Sequence, residues 1–144
     1  PKSMMELNSI GARLANIPGV KAMTDVTGFG LLGHLLEMCE GSNLEAVIDY
    51  NKVPVFEPAF NYIAQKCIPG GTLRNWDSYG DKMELPDEDM RFILADPQTS
   101  GGLLIAVEDS AVEKVEQMLY ENELFNGIIG TLAEFSNGKR IFIK

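Results

Sequence analysis

The sequence predicts an α+β fold in a single domain. Apolar residues recur at helical spacing in some stretches and alternate along others, so both element types are present. Asn137-Gly138 lies between two short apolar runs, the signature of a tight hairpin turn whose central residues need positive φ, which predicts at least one antiparallel pair. No repeat, low-complexity segment or linker divides the 144 residues.

The elements follow in order. Ser3-Met-Met-Glu6 has capping-box spacing, and Leu7, Ile10, Leu14 and Ile17 then mark the apolar face of a first helix that Pro18-Gly19 stops. A strand is predicted over residues 20–25, then Thr27-Gly-Phe-Gly30 leads into a second helix through about Glu40, ended by Gly41. Gly30, Gly33, His34 and Glu37 share one side of that helix, opposite Phe29, Leu32, Leu36 and Cys39, so something approaches the small-residue side closely. Residues 44–50 read as a strand with Ala46, Ile48 and Tyr50 on one face. A helix over residues 57–67 turns Ala59, Phe60, Ile63, Ala64 and Cys67 inward. Residues 68–86, rich in Gly and Pro and poor in apolar period, read as a long irregular connection, a type that often carries function. A short helix over residues 88–95 and a turn over 96–102 precede a strand over 103–107. Asp109 or Ser110 caps a helix carrying Val112, Val115, Met118 and Leu119, and residues 127–135 and 140–144 form the closing hairpin.

Composition bounds the function. With 45% apolar and 23% charged residues the chain is of ordinary globular type, and at this length folding removes roughly 70% of the unfolded surface from water, enough for a core without disulfide or metal. Twelve basic against 21 acidic side chains give a net charge of −9, which opposes nucleic-acid backbones and anionic lipid surfaces. A polyphosphate ligand would have to meet these carboxylates through a divalent cation. Cys39 and Cys67 have no metal or CxxC spacing and read as reduced, buried thiols. The apolar run at residues 102–107 is far short of the ~20 residues that span a bilayer, and no signal-peptide core is visible, which together read as cytosolic. The chain opens Pro1-Lys2-Ser3 without Met, as a piece cut from a longer protein would.

Three blocks carry candidate chemistry. In Thr24-Asp-Val-Thr-Gly-Phe-Gly30 an acid at a strand end precedes two glycines and a helix start. Helix-start N–H groups attract anionic oxygens, glycine permits close approach, and Asp25 would hold a hard cation bridging to them. The same residues also read as a plain cap and tight turn. Gly70-Gly-Thr-Leu-Arg-Asn75 offers the planar donor fork of Arg74 for phosphate or carboxylate, or else a polar surface turn. Asp96-Pro-Gln-Thr-Ser-Gly-Gly102 places Thr99 and Ser100 before a buried strand, either facing a ligand or satisfying their own turn. His34, the single histidine, is placed to meet Glu37 and reads as a polar or interface residue rather than a catalyst. Trp76 reads as the anchor of its loop rather than a base-stacking platform.

Taken together, residues 24–38, 69–75 with Ser78-Tyr-Gly80, and 96–107 resemble the C-terminal domain of the selenophosphate synthetase family, within the aminoimidazole-ribonucleotide synthetase superfamily. The blocks keep that family's order, and Phe29 and the Asp96 block separate it from the superfamily's acid-Thr-Gly-Gly relatives. The resemblance implies a mixed sheet with helices on both faces and a partial likeness to the ferredoxin-like arrangement. It implies that residues 1–144 are a C-terminal domain whose N-terminal partner domain brings a reactive Cys or selenocysteine near a Lys, a dimer-forming barrel and most nucleotide contacts. The complete homodimeric enzyme would convert ATP, selenide and water to selenophosphate, AMP and orthophosphate with Mg²⁺. Asp25 would be the metal ligand, and Thr27, Gly28 and Gly30 would shape the nucleotide corner, with the catalytic groups lying in the other half. A different ATP-dependent synthetase or kinase of the superfamily, and a stand-alone binding or regulatory module, are the competing readings.

Overall fold

A computed structural model describes residues 7–144, so the capping box at Ser3-Met-Met-Glu6 lies outside the described residues. The elements are α1 (Gly11–Leu14), β1 (Val20–Asp25), α2 (Gly30–Ser42), β2 (Leu44–Ile48), α3 (Pro58–Ala64), α4 (Gly70–Tyr79), β3 (Met83–Glu84), α5 (Arg91–Leu94), β4 (Leu103–Val107), α6 (Val112–Glu121), β5 (Gly130–Glu134) and β6 (Ile141–Ile143). The fold is α+β, as the two periodicities predict. The strands divide between an antiparallel β1–β4 ribbon and a mixed four-stranded sheet in the order β3-β6-β2-β5.

The ribbon carries two apolar faces. Leu104 is buried with Leu32, Leu35 and Leu36 of α2, in a core that continues to Ala46, Ile48 and Ile141 of the larger sheet. Met23, Leu103, Ile105 and Val107 pack instead against Ile10, Leu14, Ile17, Ala111 and Val115. Alternate residues of a strand point to opposite faces, so one ribbon of two short strands separates α1 and α6 from α2. Arg13 on α1 donates to the side-chain amide oxygen of Asn122 just beyond α6, at 3.2 Å, tying the outer helices together.

The central helix α2 is built from good helix formers, Leu31, Leu32, Leu35, Leu36 and Met38, and its first two turns are largely buried while Glu37 and residues 40–42 are exposed. It runs past Gly41, which sits inside the last turn. Asn43 takes the left-handed position that ends it, at φ 55°, and its N–H donates to Cys39 and Glu40. Asn tolerates that region better than most side chains, so the stop is an Asn cap rather than the expected Gly. What approaches the small-residue side of α2 is the chain itself. A Cβ on Gly33 would stand 2.5 Å from the Phe29 Cβ and 2.9 Å from the Tyr79 ring.

Four further expectations are corrected. Residues 70–79 form the helix α4 rather than irregular connection, with Thr72, Asn75 and Tyr79 buried. On α3 only Ala59 and Ile63 are half-buried, while Phe60, Ala64 and the following Cys67 are exposed, because that helix packs loosely beside the core. Tyr50 leaves the strand for a short 3₁₀ turn that Asp49 caps. The closing hairpin does not form: β2 lies between β5 and β6, antiparallel to the first and parallel to the second. Gly138 does adopt positive φ, 83°, but the turn belongs to a crossing over the end of β2. Glu45 holds that crossing by accepting from the Ser136 N–H and hydroxyl, both at 2.9 Å, which keeps its carboxyl below the usual range. The Arg140 guanidinium donates to the Leu44 carbonyl at 2.7 Å from the same crossing and stacks 3.6 Å from the Phe135 ring.

Candidate functional site

The site is assembled where two turns leave the ribbon. Asp25 ends β1 opposite Leu103, the first residue of β4, so pairing of the ribbon brings residues 24–30 beside residues 96–102. Backbone bonds zip the two segments: Val26 N–H to Gly102, Gly101 N–H to Val26, and Gln98 N–H to Thr27, all within 3.0 Å. Thr24, Asp25, Thr27, Thr99 and Ser100 therefore line one open cleft of about 600 Å³, whose other wall is Asn8, Ser9 and Gly11.

Helix α4 supports this corner from behind. The fully buried Thr72 hydroxyl donates to Asp96 at 2.6 Å. The Asn75 amide donates to the Gly28 and Ala95 carbonyls, each at 2.9 Å, joining the two turns. The Tyr79 hydroxyl donates to the Phe29 carbonyl at 2.6 Å, and burial drives that phenol's pKa upward, so it stays a donor. Of the residues flagged in the sequence, Thr72 and Asn75 thus act as struts, a role that their polar character concealed.

The remaining candidates separate clearly. Gly28 is exposed, and a Cβ built on it would meet no atom within 4 Å, leaving room for a ligand at the backbone. Gly30 is buried with φ +67°, and a Cβ there would stand 2.7 Å from the Ala95 backbone, so its demand for glycine is internal. Arg74 is exposed on α4 and is not among the residues lining the cleft. Trp76 is half-buried against the main core, with the Arg91 guanidinium 5.8 Å from its ring centroid. His34 meets Glu37 as expected, Nδ1 to Oε2 at 3.2 Å, and its Nε2 reaches the Thr27 hydroxyl at 3.1 Å.

Asp25 is the one carboxylate among the described residues lining the cleft, and no group of three potential metal-ligating side chains occurs among the described residues. Its Oδ1 accepts from Asn8, a partner that the sequence did not signal because nothing in its spacing links residues 8 and 25. One carboxylate in a cleft also lined by threonine and serine hydroxyls offers oxygen donors alone for a cation. Such a set fits Mg²⁺, which dehydrates reluctantly and is commonly held by one or two carboxylates with substrate phosphates and water completing its octahedron.

Cys39 is buried and Cys67 exposed, which corrects the reading of both as buried thiols. Among the described residues no helix is long and apolar enough to cross a membrane.

Comparison with known proteins extends this picture. Residues 1–142 match the family described as AIR synthase related protein, C-terminal domain. The chain is 60% identical over 107 residues to the selenide, water dikinase of Aeromonas hydrophila, covering 74% of this chain and 31% of that protein. Against the protein of the same name in Haemophilus influenzae it is 57% identical over 113 residues, 78% of this chain and 33% of the relative. Against that of Aeromonas salmonicida it is 48% identical over 141 residues, 98% of this chain and 41% of the relative.

Proposed function

This chain belongs to the AIR synthase related family, as its C-terminal domain, and on that premise we propose that it forms the cation-facing wall of an ATP-dependent active site. The chain spans between 31% and 41% of the length of the three relatives described. Their name, selenide, water dikinase, supports the reaction assigned here: ATP, selenide and water yield selenophosphate, AMP and orthophosphate. In this reading residues 1–144 act together with an N-terminal domain that supplies the nucleophile, the basic clamps and the dimer contact, in a cytosolic enzyme.

The observation that carries the reading is the convergence of Asp25, Thr27, Thr99 and Ser100 on one cleft from two turns distant in sequence. Asp25 would hold Mg²⁺ with help from the neighbouring hydroxyls. When bound, that ion neutralises phosphate charge and fixes the geometry of in-line displacement. The chain's own contribution is positional. Asp25 is anchored by Asn8, the backbone at Gly28 is open to close approach, and α4 keeps the two turns at fixed separation through Asn75. The acidic surface, net −9, accords with a domain that meets nucleotide through a cation and leaves direct phosphate pairing to another segment.

Phosphorus NMR of the full-length enzyme with Mg-ATP and selenide tests the assignment. Selenide-dependent appearance of AMP and selenophosphate is expected. ATP consumption that needs an amine or amide and ignores selenide would overturn it in favour of another synthetase of the superfamily.

A further inference from the structure

His34 is the chain's single histidine, its side chain is only 10% exposed, and the reaction proposed above gives it no task. Its ring is held edge-on by Phe29, with centroids 5.7 Å apart at 62°. Nε2 lies 3.1 Å from Oγ1 of Thr27, whose residue is exposed to the cleft beside Asp25. Nδ1 lies 3.2 Å from the Glu37 carboxylate but has no hydrogen-bond partner, because this approach falls off the N–H direction.

We propose that His34 is a positioning residue: Nε2 accepts the Thr27 hydroxyl proton and so leaves the Thr27 oxygen lone pairs facing the cleft. A neutral imidazole carries one ring proton, and the nitrogen without it is an acceptor. The proton belongs on Nδ1, since a carboxylate 3.2 Å away attracts an N–H and repels a bare nitrogen lone pair even without good hydrogen-bond alignment. Nε2 is then the acceptor, and the hydroxyl must donate inward. With the tautomer reversed, Nε2–H would occupy a lone pair of Thr27 and turn the hydroxyl proton toward the cleft, where it would oppose a cation. A freely rotating surface threonine thus becomes an oriented oxygen acceptor. The value of that orientation rests on the cation reading of the cleft, whereas the orientation itself is a property of this chain alone.

A single histidine makes the test direct. Long-range proton–nitrogen correlation spectra of the chain at about pH 8, above the ordinary histidine range, report the ring tautomer without overlap. The Nδ1–H tautomer is expected, and an Nε2–H spectrum overturns the proposal. Thr27→Val deletes the donor and should shift the Nε2 resonance, while Thr27→Ser restores it; identical spectra for all three chains would also overturn it. Titration with Mn²⁺ alone, read as paramagnetic broadening at the Asp25 and Thr27 amides, supplies a readout independent of turnover. His34→Gln should raise the Mn²⁺ needed by about 10-fold, the usual cost of losing a residue that orients a ligand, and an unchanged titration counts against the role. If Mn²⁺ broadens neither amide in the unaltered chain, the cation reading of the cleft fails, and the tautomer and the Thr27→Val response still decide the place of His34.

Discussion

Asp25 is where a single charge separates two accounts of the cleft. Asn is nearly isosteric and its amide oxygen can still accept from Asn8, so Asp25→Asn should leave the fold and its thermal midpoint nearly unchanged. It removes the charge that a hard cation prefers. In the full-length enzyme, turnover should fall by about 100-fold or more, on the scale of other lost electrostatic contacts to a transition state. Near-normal ATP consumption at limiting Mg²⁺ would leave Asp25 only the structural bond that it accepts from Asn8. A second residue-scale prediction concerns the thiols. Burial pushes the Cys39 thiol up from its ordinary 9.0 to about 11, so between those values the unfolded chain has lost a proton that the folded chain keeps. Stability contributed by Cys39 is therefore full below pH 9.0 and declines as pH rises toward 11. Tyr50 and Tyr79, whose phenols burial also pushes up, add to the same slope. A pH series of thermal midpoints should show this alkaline decline, less steep in Cys39→Ala. Ellman's reagent should titrate the exposed Cys67 rapidly in the native chain and Cys39 only on unfolding.

At the scale of elements, α4 is the part the cleft depends on and the part that the sequence hid. Residues 72, 75, 76 and 79 have helical spacing, but two of the buried ones are Thr and Asn, so the pattern carries little apolar signal. Their burial is repaid by hydrogen bonds to Asp96, Gly28 and Ala95, partners distant in sequence and invisible to a local reading. By contrast β1 and β4 occupy the predicted residues, because alternation and flanking turns define a strand locally. The closing hairpin failed for the opposite reason. Its turn chemistry was legible, but the insertion of β2 between β5 and β6 is a tertiary pairing that no window of sequence records. The cleft itself was half legible: two of the three motif blocks, residues 24–30 and 96–102, are the turns that line it, while the third lies on α4 behind it, and Asn8 and the inward reach of Thr27 to His34 were not foreseen. Asn75→Ala tests the strut. It leaves two carbonyls without their side-chain donor, which should cost about 1–3 kcal/mol on thermal or urea unfolding. Because it also frees the Gly28 turn from Ala95, full-length turnover should fall more than Leu73→Ala, an exposed change on the same helix, lowers it.

Across the whole molecule, the ribbon couples the two apolar clusters, since Leu104 belongs to one while Leu103 and Ile105 face the other. Neither cluster can open without uncovering a face of the same strands, so this chain should melt in one cooperative transition. Folding well does not make it a good nucleotide binder. The cleft offers one carboxylate, several hydroxyls and the backbone at Gly28, while its flagged guanidinium, Arg74, lies elsewhere on the exposed face of α4. Association must overcome lost ligand freedom of several kcal/mol before any affinity remains, and a net charge of −9 adds repulsion toward a polyphosphate. Calorimetry of this chain with Mg-ATP should therefore give a dissociation constant of about 1 mM or weaker, with no selenide-dependent AMP formation. Joining it to the N-terminal domain proposed above should bring both binding and turnover. Micromolar affinity in the 144-residue chain alone would mean that the two turns hold the nucleotide by themselves, and turnover by that chain would place the chemistry within these residues rather than beyond them.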